Sequence, residues 1–231
     1  MALGAGAALG LDIVTWHTAI EFIGTGLATL LVNTQVLLVA MIAWLFLGER
    51  PRRQLLWAIP LILAGVALVS GVGQGAAFGS RPLAGTGLAL LAAFFYALFL
   101  LGYRQSHTAG ARTVGPLMEA TAGAAATAAI IGLLWNGIDI GFSWPAHGWL
   151  LALALGAQVL GWLLIGHALP RLPAAETATV ILIQPALTMF WGALIFGERP
   201  SVLQIAGALV VLAGVAYIAL DRRHSPEAVT A

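Results

Sequence analysis

The sequence predicts an all-α, polytopic membrane protein with eight transmembrane helices, and three observations predict it. Of its 231 residues, 61% are hydrophobic and only 8% are charged. Soluble domains carry about 25% charged residues, which they need to face water. The apolar residues fall into runs of about 20, the length that crosses the hydrocarbon. The third observation is a repeat. Leu47-Gly48-Glu49-Arg50-Pro51 returns as Phe196-Gly197-Glu198-Arg199-Pro200, 149 positions later. At that shift, 12 of the 33 positions from Gln35 to Ala67 are identical, including Gln35 with Gln184 and Leu63-Ala64-Gly65-Val66-Ala67 with Leu212-Ala213-Gly214-Val215-Ala216.

The runs are residues 3–22, 25–47, 55–72, 84–103, 114–134, 148–168, 174–196 and 202–220. The first has no basic n-region ahead of it and reads as a spanning helix rather than a cleaved signal peptide. Breakers stand between the runs: Gly24, Pro51, the glycine-rich 71–79, Gly110, Pro145, and Pro170 with Pro173. A tail follows from Asp221. The chain has no cysteine, which excludes disulfides and thiolate metal sites. A net charge of +1 argues against nucleic acid as a partner.

All ten basic residues are arginine, and their placement sets an orientation. With the N-terminus in the cytoplasm, the inner turns and tail hold Arg50, Arg52, Arg53, Arg104, Arg112, Arg171, Arg222 and Arg223, and the outer turns hold only Arg81 and Arg199. Trp135, Trp144 and Trp149 fall around one outer turn, where aromatic anchors belong. Five crossings separate the two Gly-Glu-Arg-Pro turns, so they are expected on opposite faces. The repeat is then inverted, the arrangement of halves that rock about a central site.

Ionisable and amide side chains inside the runs are the candidate pathway residues, because each costs free energy in lipid. Asp12 lies midway along the first run, with Thr15 and Trp16 on its side. It suits a substrate amine or a coupling proton; a hydrogen bond to a neighbouring helix explains it equally. His17 and Glu21, four apart, share a face. Two ligands make a poor metal corner, so pairing or cavity lining is preferred and no metal is expected. Thr25, Thr29 and Asn33 form a stripe on the second run, with Gln35 pointing nearly opposite. Thr177 and Gln184 share a face of the seventh, and Gln158 with Trp162 a face of the sixth. Tyr96 on the fourth is a further candidate. For each, interhelical packing is the competing explanation. Glu119 reads as a snorkelling partner of Arg112. Glu49, Arg50, Glu198 and Arg199 read as structural charges in surface turns.

The segment Leu11-Asp12-Ile13-Val14-Thr15-Trp16-His17-Thr18-Ala19-Ile20-Glu21, with Ala28-Thr29-Leu30-Leu31-Val32-Asn33 and the two Gly-Glu-Arg-Pro turns, resembles the drug/metabolite transporter superfamily, EamA type. The resemblance implies a 5+5 inverted repeat of helices, cytoplasmic termini, and movement of small metabolites such as amino acids, often outward. Here the first Gly-Glu-Arg turn follows the second helix, where the family has it after the fourth. The chain therefore reads as 3+5: an incomplete repeat over 1–72, an outer loop over 73–83, a second repeat over 84–220 and a cytoplasmic tail over 221–231. A proline usual in the family's fourth helix is Val36 here, while Pro185 is kept. The second half is therefore expected to bend more at that depth.

The expected function is a secondary permease in the cell inner membrane, multi-pass, acting by alternating access on a small-molecule metabolite. Protons are the candidate coupling ion, through Asp12 or Glu21. The alternatives are a partner-dependent subunit in a homo- or hetero-oligomer, or a truncated paralogue that does not transport. An intramembrane enzyme is least supported: the serines fall at helix ends, in turns or in the tail, and Asp12 has no second mid-membrane aspartate. No cofactor is expected.

Overall fold

Apolar runs must satisfy their own backbone in lipid, and the described runs do so with helices. The computed structural model describes residues 1–48, 53–70, 78–106, 114–135, 141–161 and 174–221. Among these there is no strand. The helices are α1 (Ala2–Val32), α2 (Gln35–Leu47), α3 (Arg53–Val69), α4 (Pro82–Ser106), α5 (Val114–Trp135), α6 (Ala146–Ala152, continued by a π-helical stretch Leu153–Gly161), α7 (Ala174–Phe196) and α8 (Val202–Asp221). Ala2–Val32, Pro82–Tyr103 and Gly115–Leu134 are each long and apolar enough to cross a membrane, and the other described helices are shorter and apolar. Large apolar side chains stand bare on the outside, with Leu134 82% and Trp57 74% exposed. Such a surface suits lipid rather than water. Trp144 and Trp149 are exposed too, as interfacial anchors would be.

The helix ends follow the breakers with one revision. Gly24 (φ 81°) splits α1, so the chain turns there between the first and second runs. The second run is not one helix. Asn33 and Thr34 interrupt it, where the Val36 and Leu37 N–H groups bond only three residues back. The Asn33 Nδ2 donates to the Thr29 carbonyl (2.8 Å) and the Thr34 hydroxyl to that of Leu31 (2.7 Å). These side chains take carbonyls that an α-helix would use, and the turn tightens. By contrast α7 runs unbroken through the buried Pro185. The interruption at this depth thus lies in the first half, the reverse of what proline alone suggests.

Small residues set the packing. On α1, Gly6 and Gly10 lie against Ala120, Ala124 and Thr127 of α5, so close that a Cβ at Gly6 would overlap the Ala120 carbonyl. The paired numbers rise together, so α1 and α5 run parallel. Gly85 meets Ile23 and Gly102 meets Ala5, so α4 runs antiparallel to α1. The third crossing joins α3 to α8. A Cβ on Gly65 would lie 2.8 Å from the Gly207 carbonyl oxygen and 2.8 Å from Val211 Cγ2; one on Gly214 would lie 2.6 Å from Ile62 Cγ1. Under the 149-residue shift Gly65 becomes Gly214 and Ile62 becomes Val211, so these two contacts exchange. Gly48 (φ 69°) and Gly197 (φ 67°) also match, each supplying the left-handed residue after its helix.

Three turns gather at one end. Ser201 and Gln204 form a capping box: the Gln204 N–H donates to Ser201 Oγ and the Ser201 N–H to Gln204 Oε1. The buried Gln204 amide also donates to the Val69 and Phe78 carbonyls (3.2 and 3.1 Å), and its Oε1 accepts from the Phe78 N–H (2.7 Å). The Arg81 guanidinium stands 5.6 Å from the centroid of the Phe22 ring. Because α3 ends here at Val69, its Arg53 end lies about 25 Å away, at 1.5 Å per residue.

Candidate functional site

Asp12 lies at the middle of the straight part of α1, about 15 Å from either end. It is 7% exposed, and its buried Oδ1 has no hydrogen-bond partner. One turn on, the buried Trp16 Nε1 is also without a partner. The antiparallel register brings Tyr96 of α4 to the same depth, eleven residues after Gly85 as Asp12 is eleven before Ile23. Tyr96 is partly buried there. From Tyr96 an aromatic ladder descends α4 through Phe99 to Tyr103, with centroids 5.8 and 5.4 Å apart. Where α4 packs along α1, its Ala89, Ala92, Ala93 and Ala97 are all buried. These small side chains let the helices close until the carboxylate is shut off from the surface.

The other expected residues separate. The Thr15 hydroxyl turns back onto the Leu11 carbonyl (2.8 Å), away from Asp12. His17 and Glu21 are exposed, and His17 Nδ1 bonds the Ile13 carbonyl at 2.7 Å. The His17–Glu21 hydrogen bond that their spacing allows is not made; His17 Nδ1 is held by the carbonyl one turn back instead. No group of three or more His, Cys, Asp or Glu among the described residues is placed to hold a metal. Asn33 is spent on the Thr29 carbonyl. Gln35 has a buried Oε1 without a partner, whereas Gln184 is exposed, so the repeat-matched amides have different surroundings. Glu49, Arg50, Trp162 and the side chains of Gln158 and Thr177 lie outside the described residues. The backbone of Gln158 falls in the π-helical stretch, a geometry that is rare in general.

Glu198 is the residue whose setting its sequence position conceals. The surface-turn reading leaves it solvated, but it is 7% exposed. Its carboxylate accepts from the Thr25 N–H, from Thr25 Oγ1 (2.8 Å) and from the Gly26 N–H (3.1 Å). These are the first free N–H groups of the helix that restarts after Gly24, so Glu198 caps it from across the fold. A Cβ on Gly24 would lie 2.7 Å from the carboxyl carbon, and one on Gly192 would overlap the carboxylate. Only glycines leave the room. Arg199, next in sequence, is exposed.

This arrangement has known relatives. The profile of the EamA-like transporter family matches residues 2–71 and 83–220. The chain is 29% identical over 225 residues to the pseudopaline exporter CntI of Pseudomonas aeruginosa strain PAO1, covering 96% of this chain and 75% of that protein. The same exporter from strain UCBPP-PA14 is 28% identical over 225 residues. An uncharacterized protein of strain PAO1, PA1977, is 31% identical over 199 residues, covering 86% of this chain and 66% of that one. A solved crystal structure superposes with a TM-score of 0.55 at 20% identity, covering 94% of this chain and 75% of that chain. That likeness concerns the fold alone. With the family profile matched along most of its length, the chain belongs to the EamA-like transporter family of the drug/metabolite transporter superfamily.

Proposed function

We propose that the protein is a secondary transporter that exports a small metabolite, an amino acid or related compound, across the cytoplasmic membrane by alternating access. The observation that carries this reading is the exchange of the Gly65–Val211 and Gly214–Ile62 contacts under the repeat. Two helices that trade contacts in this way are related by a local two-fold, as in a self-complementary interface. Since α3 and α8 are antiparallel, that axis runs across them, as inverted halves require. The halves meet at Asp12's depth, and at one end Glu198 holds them closed through Thr25 and Gly26. Opening that end breaks the cap, and eight crossings with cytoplasmic termini complete the topology.

The test is flux from proteoliposomes loaded with labelled amino acids and, because two relatives are named for it, with pseudopaline. Efflux above empty vesicles, lost in Asp12→Asn, is expected. Absence of flux for every solute in both membrane orientations overturns the reading. Repeating the assay with a proton gradient tests coupling through Asp12.

A second reading, a subunit that works beside another membrane chain, rests on the exposure of His17 and Glu21 within the span. Ionisable groups facing lipid are costly, and a second helix against that face relieves them. Crosslinking from position 21 in native membranes distinguishes the two readings.

A further inference from the structure

The orphaned atoms at mid-depth differ in kind. Asp12 Oδ1 is an acceptor without a donor, and Trp16 Nε1 is a donor without an acceptor. They share a face of α1 one turn apart, where neighbouring side chains start about 5–6 Å from each other. A proton alone does not satisfy them. Protonated Asp12 would gain a donor of its own, leaving Trp16 still without an acceptor. A hard metal ion does not fit either, since such ions take about six or more oxygen ligands and the described residues hold no such group. No described cation is paired with Asp12: Arg81 is at the end of the helices over Phe22, and His17 is exposed and held by Ile13. Glu21 and Glu119 are exposed, and the register of α4 against α1 brings Tyr96 to Asp12's depth.

We propose that Asp12, Trp16 and Tyr96 seat a ligand carrying an organic ammonium group and, about one helical turn away, a hydrogen-bond acceptor. The ammonium pairs with Asp12 Oδ1, and the rings of Trp16 and Tyr96 give it faces that attract cations. The acceptor takes the Trp16 N–H. The Tyr96–Phe99–Tyr103 ladder offers the ligand's apolar part a wall. The inference deepens the carrier reading and rests on it for access to the site. Flux of some other solute can survive the failure of this one, and binding can be present without flux.

The experiment is calorimetric titration of the full chain in lipid nanodiscs with four probes: 2-phenylethylamine, its neutral counterpart 2-phenylethanol, anionic 3-phenylpropionate, and phenylalanine methyl ester, a cation with an acceptor. The amine is expected to bind at least about 10-fold more tightly than the alcohol, as a charge-assisted hydrogen bond commonly gives. Asp12→Asn is expected to abolish that preference without weakening the alcohol. Trp16→Phe is expected to reduce the advantage of the ester over the amine, and Glu119→Gln to change nothing. If Asp12→Asn does not fold, the wild-type preference and Trp16→Phe decide. Equal binding of amine and alcohol, no binding by any probe, or a preference that survives Asp12→Asn overturns the proposal.

Discussion

Replacing Glu198 tests whether a single carboxylate joins the two ends of the chain. Its three hydrogen bonds include the first two N–H groups of a helix, shielded from water. A hydrogen bond to a charged group contributes about 1.5–3 kcal/mol, and negative charge at a helix N-terminus adds about 0.3–2 kcal/mol. Glu198→Gln keeps one oxygen for Thr25 but turns an amide NH2 toward the Gly26 N–H. It therefore loses one charged bond and the charge itself, about 2–4 kcal/mol. Glu198→Ala removes every acceptor and costs more. For a chain of this size about 2–4 °C is lost per kcal/mol, so the glutamine variant should melt about 5–15 °C lower. The assay is thermal unfolding in detergent followed by circular dichroism, with Arg199→Gln as the exposed control. If Glu198→Gln melts with the control, the carboxylate is no cap and the argument from its glycine cradle is wrong.

The remaining predictions concern packing and topology. Gly207→Leu forces a side chain against the Gly65 carbonyl and should cost about 3 kcal/mol or more, whereas Gly87→Leu, with open space around it, should be nearly silent; chemical unfolding compares them. Gly6→Val at the α1–α5 crossing should lower the melting temperature as Gly207→Leu does, while Gly4→Val should not. Gln204→Leu strands the Phe78 N–H and the Val69 carbonyl and should lose about 2–4 kcal/mol, read as faster amide exchange at Phe78. Since the native chain has no cysteine, single cysteines at positions 50 and 199 can be labelled in sealed vesicles. An impermeant reagent is expected to reach them from opposite sides, and labelling of both from one side would remove the inverted arrangement.

The apolar runs and their breakers were legible without coordinates, because a helix of about 20 apolar residues is a local solution to crossing lipid. The repeat was legible for the same reason, and Gly48 and Gly197 adopt matching conformations because each serves its own turn. The Ser201–Gln204 capping box could also have been read, since both partners lie within one helical turn. The tightening at Asn33–Thr34 is local as well, since both side chains bond carbonyls within one turn.

What sequence could not supply is pairing across the fold. Glu49 and Glu198 sit in identical tetrapeptides, so no local signal marks Glu198 as a buried cap; its cradle joins the nearby Gly192 to Gly24 and Gly26 from the other end of the chain. Asp12 stood out as an expensive residue, but its neighbour Tyr96 follows only from the register of α1 against α4. The chain by itself determined what must be helical and what must avoid water, because those are properties of each segment in its solvent. Only tertiary structure decided which polar atoms found partners and which were left waiting, because hydrogen bonds between distant residues depend on distances that no segment contains.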